Sequence, residues 1–309
     1  MMAAITVDEE RLMGLQELEP SPVEDSPIEI KESYFPSAST PSPPPEPLRR
    51  STTLGLSGHT PVYWLSRLHR YSTYPLTLYA VFHITNTAII PLATKSIAAS
   101  DTYLLLTRPY YQSFPLEPLL IVLPLAAHIG SGLALRIYRR RQNLQRYGAE
   151  SRKDRRNVPW PPVSGTSKLG YLLVPFITGH AFINRVIPLY HAGGSSGIGL
   201  EYVSHGFAKF PAISFAGFGA LVAAGVLHIT WGWAKWLGWT PNQVTEHGEH
   251  GQMLKKRRWY GINAVSALVT AVWMAGGLGV VGRAGPAGGW VGREYDELFQ
   301  HIPILGRWM

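Results

Sequence analysis

The sequence predicts an all-α membrane protein, with five transmembrane helices built on a duplicated two-helix unit and a disordered N-terminal tail. Three observations predict it. Apolar blocks long enough to cross a bilayer, about 17–25 residues each, follow a polar, proline-rich start. Four histidines sit near the centres of four of these blocks and form two pairs with matching surroundings. Cations collect in alternate loops. Composition hides the pattern, since 46% hydrophobic residues and a mean hydropathy of +0.01 would suit a soluble chain.

The first element is the tail, residues 1–58. Its stretch EPSPVEDSPIEIKESYFPSASTPSPPPEP has few large apolar side chains and too many prolines to build a core. Its opening is acidic and resembles neither a secretory signal nor a matrix transit peptide, so insertion is expected to rely on the spans. Within it, Leu15, Leu18, Pro20, Pro22 and Val23 form a pattern that can bind in extended form. The prolines lower the entropy cost of ordering and the apolar side chains fill pockets. The run Pro41, Pro43, Pro44, Pro45 and Pro47 reads as a stiff spacer. Next, VYWLSRLHRY mixes Trp64, Leu65 and Leu68 with Arg67 and Arg70, the make-up of a short helix lying at the membrane interface.

The spans are expected at Ser72 to Pro91, Leu116 to Tyr138, Leu169 to Leu189, Ala212 to Leu237 and Tyr260 to Val281. Pro124 and Pro175 interrupt the second and third, which membrane helices tolerate because neighbouring groups re-satisfy the freed carbonyls. His83 precedes Pro91 by the same spacing as His180 precedes Pro188, in HITNTAIIPL and HAFINRVIPL. His128 and His228 stand in HIGSG and HITWG, with Gly132 and Gly232 one turn on. The chain therefore divides into the tail (1–58), a first two-helix repeat with its basic loop (59–165), a second repeat (166–259), and a fifth span with the C-terminal tail (260–309).

Arg139, Arg140, Arg141, Arg146, Arg152, Lys153, Arg155 and Arg156 follow the second span, and Lys255, Lys256, Arg257 and Arg258 follow the fourth. With Arg49, Arg50, Arg67 and Arg70 ahead of the first span, they put the N-terminus and both basic loops on one side, by default cytosolic. Topology and anionic headgroups thus account for the net charge of +8 better than nucleic acid does. The lack of cysteine excludes disulfides and thiolate-bound zinc or iron–sulfur centres. His247, Glu249 and His250 lie in a basic loop and read as solvated side chains.

A parallel duplication places equivalent histidines at equivalent depth, and all four are expected near the bilayer midplane. Ionisable residues there are costly and usually face the bundle interior, so His83, His128, His180 and His228 are candidates for one shared site. Axial ligation of a haem b by imidazole is the chemistry that most often uses such residues, with the glycines after His128 and His228 admitting a flat macrocycle or another helix. The alternative is a cluster of neutral histidines that only hydrogen-bond across helices.

SRLHRYS (Ser66 to Ser72), followed by a span with a histidine, resembles the signature of the cytochrome b subunit of succinate dehydrogenase at Ser66, His69, Arg70 and Ser72. Five spans and a duplication depart from that subunit, so the likeness implies shared ancestry of a four-helix unit. A fuller resemblance covers SRLHRYSTYPLTLYAVFH with HIGSGLALRIYRRR, GYLLVPFITGHAFINRVIP with LHITWGWAKWLG, and the fifth span. These are similar to the fungal Mdm-complementing (Mcp) family of the mitochondrial outer membrane. That resemblance implies a multi-pass adapter with a cytosolic N-terminus and no enzymatic activity. Its Pro-x-Pro motif, here Pro20 and Pro22 flanked by Leu15, Leu18 and Val23, would recruit a chorein-type lipid-transfer protein in support of mitochondrial lipid homeostasis. The histidines leave a haem-b electron carrier open. Asn86, Asn184 and Arg185 in the spans leave a lipid scramblase or transporter open, although helix contacts explain them more simply.

Overall fold

The computed structural model describes residues 60–303 and 305–308, and within them all regular structure is helical. Contacts divide the chain into Met1–Trp64 and Leu65–Met309. Of the first unit, residues 60–64 are described and open the first long helix.

Five helices are long and apolar enough to cross a membrane, as the sequence predicts. They are α1 (Pro61–Thr94), α3 (Pro118–Arg146), α4 (Gly165–His191), α6 (Pro211–Trp236) and α7 (Gly248–Arg283). Three shorter helices are α2 (Ile97–Thr107), α5 (Leu200–Lys209) and α8 (Gly289–Gln300). One expectation shifts. The segment VYWLSRLHRY is continuous with the first span, because Ser72 keeps right-handed helical angles and its N–H bonds the Leu68 carbonyl at 3.0 Å.

Three spans widen into π winding two residues before a proline: Thr85–Ile89 before Pro91, Pro118–Val122 before Pro124, and Phe182–Val186 before Pro188. Proline lacks an N–H and its ring clashes with the carbonyl one turn back, and a wider turn moves that carbonyl aside. The first and third of these turns each begin two residues after a histidine, His83 or His180. A side chain four residues on meets each histidine's carbonyl, Thr87 Oγ1 at 2.7 Å and Asn184 Nδ2 at 2.8 Å. The duplication thus extends to a backbone irregularity and its repair. By contrast Pro175 sits within the α-helical stretch Gly165–Ala181.

Small residues and short polar side chains join the spans, as expected where burial from lipid offers little driving force. Trp233 Nε1 donates to Thr77 Oγ1 at 3.0 Å, and Thr230 Oγ1 lies 2.5 Å from Ser266 Oγ. A fourth π stretch, Met274–Val280, brings Gly276 against the backbone of Ala88, which is fully buried.

At the end of the bundle away from the basic loops, α2, α5 and α8 pack into a cap. Its core is Ile187, Ile198, Tyr202, Tyr295, Leu298, Phe299 and Ile302. Polar contacts tie it together. The Leu200 N–H donates to Asp101 Oδ1 at 2.7 Å, so a carboxylate on α2 caps the start of α5. Arg108 donates to the carbonyls of Ser195, at 2.6 Å, and Ile198. Arg185 pairs with Glu117 and donates to Ser195 Oγ at 2.5 Å. The interior-facing Arg185 is therefore a helix contact.

His205, 2% exposed, accepts the Ala287 N–H on Nδ1 at 3.0 Å, which leaves its proton on Nε2 to donate to Asp296 at 2.8 Å. Burial works to raise the Asp296 carboxyl, but the hydrogen bonds from His205 and Lys209 outweigh it and hold the group below its ordinary value. Burial pushes the Tyr295 phenol up to about 12 and carries Tyr202 higher still, so both hydroxyls donate, to Gly197 and Ile183 carbonyls at 3.2 Å each.

Candidate functional site: two tiers of paired histidines

The equivalent histidines of the two repeats do meet. His83 faces His180 with ring centroids 5.9 Å apart, and His128 faces His228 at 6.0 Å, both edge to face. The single midplane cluster does not form. His128 stacks on His69 at 4.0 Å, and His69 stands fourteen residues before His83 on α1. At 1.5 Å per residue the two pairs lie about 20 Å apart along the bundle. Thr166 and His180 repeat the same fourteen-residue spacing on α4. A parallel duplication equates depth between copies, but the two helices within a copy run in opposite directions and their histidines need share no level.

The tier nearer the basic loops is the more ordered chemically. His128 Nδ1 lies 3.1 Å from the His69 carbonyl, and His228 Nδ1 lies 2.9 Å from the Thr166 carbonyl. Positions 69 and 166 correspond in the two repeats, so this bond too is duplicated. A carbonyl only accepts, hence Nδ1 donates in both rings and each Nε2 keeps its lone pair. His69 returns the contact, donating from Nδ1 to the His128 carbonyl at 2.9 Å. Ser72 Oγ donates to the His69 carbonyl at 3.0 Å, and Arg70 lies over the Trp236 ring at 5.7 Å. The SRLHRYS signature thus latches α1 to its neighbours.

The glycines play different parts from those expected. A Cβ on Gly132 would stand 3.2 Å from His69 Cε1, so the space after His128 is taken by an imidazole. Nothing lies within 4 Å of a Cβ at Gly232. The close approach in the second repeat is at Gly170, where a Cβ would come 2.9 Å from His228 Cε1.

The second tier differs. Asn184 Nδ2 donates to the His180 carbonyl and lies 3.4 Å from His180 Nδ1, so that nitrogen accepts and the proton sits on Nε2. His83 Nδ1 meets the Tyr79 hydroxyl at 3.5 Å. Asn86 donates to Phe82 O and Thr107 Oγ1 at 2.9 and 2.8 Å, while among the described residues its Oδ1 has no partner.

Among the described residues no group of three or more His, Asp or Glu side chains could hold a metal ion. His250 is exposed and pairs with Glu246 at 2.9 Å. Part of the basic loop is structural: Arg140, 8% exposed, donates to the carbonyls of Val158, Pro159 and Arg155 at 2.5–2.7 Å and lies over the Trp160 ring. Sequence pattern gave no sign of this, because its acceptors are backbone carbonyls. Leu15, Leu18, Pro20, Pro22 and Val23 lie outside the described residues.

Five apolar spans, a two-helix unit repeated in backbone and hydrogen bonds, and a helical cap at one end define a polytopic membrane protein. Residues 175–286 match the family described as MDM10-complementing protein 1, transmembrane domain, a region covering α4 from Pro175, all of α6 and all of α7. Over these 112 of its 309 residues the chain is similar to this Mdm-complementing (Mcp) family. No curated protein and no solved structure matches it.

Proposed function

We propose that this protein is an adapter of the mitochondrial outer membrane whose N-terminal tail recruits a chorein-type bridge-like lipid-transfer protein, so supporting mitochondrial lipid homeostasis. The observation that carries the reading is the tail motif, Leu15, Leu18, Pro20, Pro22 and Val23, joined to a body that matches the Mcp transmembrane domain. The topology agrees with it. Both basic loops lie at the end of the bundle where the first span begins, which supports a cytosolic tail. From its composition, a polar, proline-rich chain of about sixty residues is expected to span roughly 4 nm. The mechanism is tethering, with the body as anchor and no chemical step.

Pro20→Ala combined with Pro22→Ala is expected to abolish recruitment of the lipid-transfer protein while insertion and abundance stay unchanged. Fluorescence co-localisation on mitochondria measures it, and undiminished recruitment overturns the motif assignment.

A second reading concerns the body and can hold together with the first. The duplicated Nδ1 bonds of His128 and His228 give both rings the tautomer of a metal-ligating imidazole, the usual arrangement in which a carbonyl fixes the other nitrogen. With both Nε2 lone pairs left free, these two residues are the ones that would hold a haem b, a group that would supply one-electron redox chemistry. His180, with Nε2 protonated, does not fit as it stands. Purified protein expressed with ample haem is expected to show reduced haem bands that His128→Ala and His228→Ala each remove and His83→Ala leaves. A featureless spectrum from folded protein reduces the tier to a helix latch.

A further inference from the structure

The cap end carries an open depression of about 480 Å³ lined by Phe207, Pro211, Phe215, Gly282, Arg283 and Gly285. We propose that it seats one phospholipid with an anionic headgroup from the bilayer leaflet on the cap side, the phosphate on Arg283 and the first part of an acyl chain against Phe207 and Phe215.

Position is the first argument. Pro211 opens α6 and Arg283 closes α7, so the depression lies where two spans leave the membrane, at the level where headgroups meet acyl chains. The second argument is shape. Gly282 is buried, and a Cβ there would stand 2.9 Å from Phe207 Cδ1 and 3.3 Å from Phe215 Cε1. Its missing side chain lets both rings close on the end of α7 and form an apolar floor. Charge is the third. Arg283 is exposed, and among the described residues it has no carboxylate or carbonyl partner. The neighbouring cation, Lys209, is engaged by Asp296 at 2.9 Å.

An unpaired guanidinium beside an apolar floor binds a lipid phosphate, as basic pockets between membrane helices do. The lining also selects among headgroups. It contains no acidic residue to pair with a choline or ethanolamine nitrogen, and Arg283 repels such a group. A phosphate without a fixed cation, as in phosphatidic acid, suits it better.

Native mass spectrometry of the full-length protein in mild detergent, with dioleoyl phosphatidic acid or dioleoyl phosphatidylcholine added, tests the assignment. The wild type is expected to retain the anionic lipid several-fold more than the zwitterionic one. Arg283→Gln should bring that ratio close to one. Ala208→Trp fills the apolar part from the exposed Ala208 and should lower retention of both lipids, while Arg293→Ala, on the exposed face of α8, keeps the wild-type ratio. An unchanged ratio in Arg283→Gln overturns the proposal, and so does an equal fall in Arg293→Ala, which would mark general attraction to a basic protein. Arg283→Lys keeps the charge and is expected to retain most of the preference, so the test survives poor folding of the glutamine variant.

Discussion

Gly276→Ala is expected to be among the most destabilising single substitutions in the membrane body, although it adds one methyl group. The added Cβ would meet the carbonyl oxygen, carbonyl carbon and Cα of Ala88 on the first span. All three are backbone atoms, so no side-chain rotation relieves the clash. Ala88 is fully buried and lies in the π turn ahead of Pro91, so both backbones are already irregular there. Overpacking of this kind costs about 3 kcal/mol or more when the obstacle cannot move. The adjacent Gly277→Ala is the control. There the nearest atoms are Thr87 O at 3.5 Å and Trp273 Cδ1 at 3.6 Å, ordinary contact distances, and alanine favours the helix by about 1 kcal/mol. Thermal unfolding in detergent should therefore separate two neighbouring glycines, with the first variant much less stable and the second unchanged or slightly better. Equal effects would mean that α1 and α7 do not meet at Gly276.

Arg185→Leu is expected to cost about 3 kcal/mol, because it strands the Glu117 carboxylate in a setting only one-fifth exposed. For a body of this size that is roughly a 5–10 °C fall in melting temperature. Adding Glu117→Gln should recover at least about 1 kcal/mol, since the neutral amide no longer needs a cation. If the two substitutions instead add, the pair is not coupled and the cap is held by its apolar core alone. The contact joins the start of α3 to the end of α4, so its loss should also loosen the cap around Ser195.

The five spans were legible because each is an apolar block of bilayer length, and the repeat because His83 and His180 stand the same distance ahead of a proline. The pairing of His83 with His180 and of His128 with His228 follows from that repeat. Their division into two tiers does not, since spacing along one helix says nothing about how far an antiparallel neighbour slides past it. The cap was hidden for another reason. Asp101 meets Leu200, Arg185 meets Glu117 and His205 meets Asp296 across 99, 68 and 91 residues. No periodicity within one segment records such partners, and Asp101, Leu200, His205 and Asp296 all lie outside the predicted spans.

The division of labour between tail and body is the centre of this account, and transplanting the tail tests it most directly. Residues 1–58 are fused to an unrelated single-span anchor of the mitochondrial outer membrane, and recruitment of the lipid-transfer protein is measured in cells lacking the native chain. The fusion is expected to recruit as the full-length protein does, and its Pro20→Ala, Pro22→Ala form to recruit none, while residues 59–309 alone also fail. Recruitment by the body without its tail, or none by the transplanted tail, would contradict the assignment and place the partner's docking surface among the five spans.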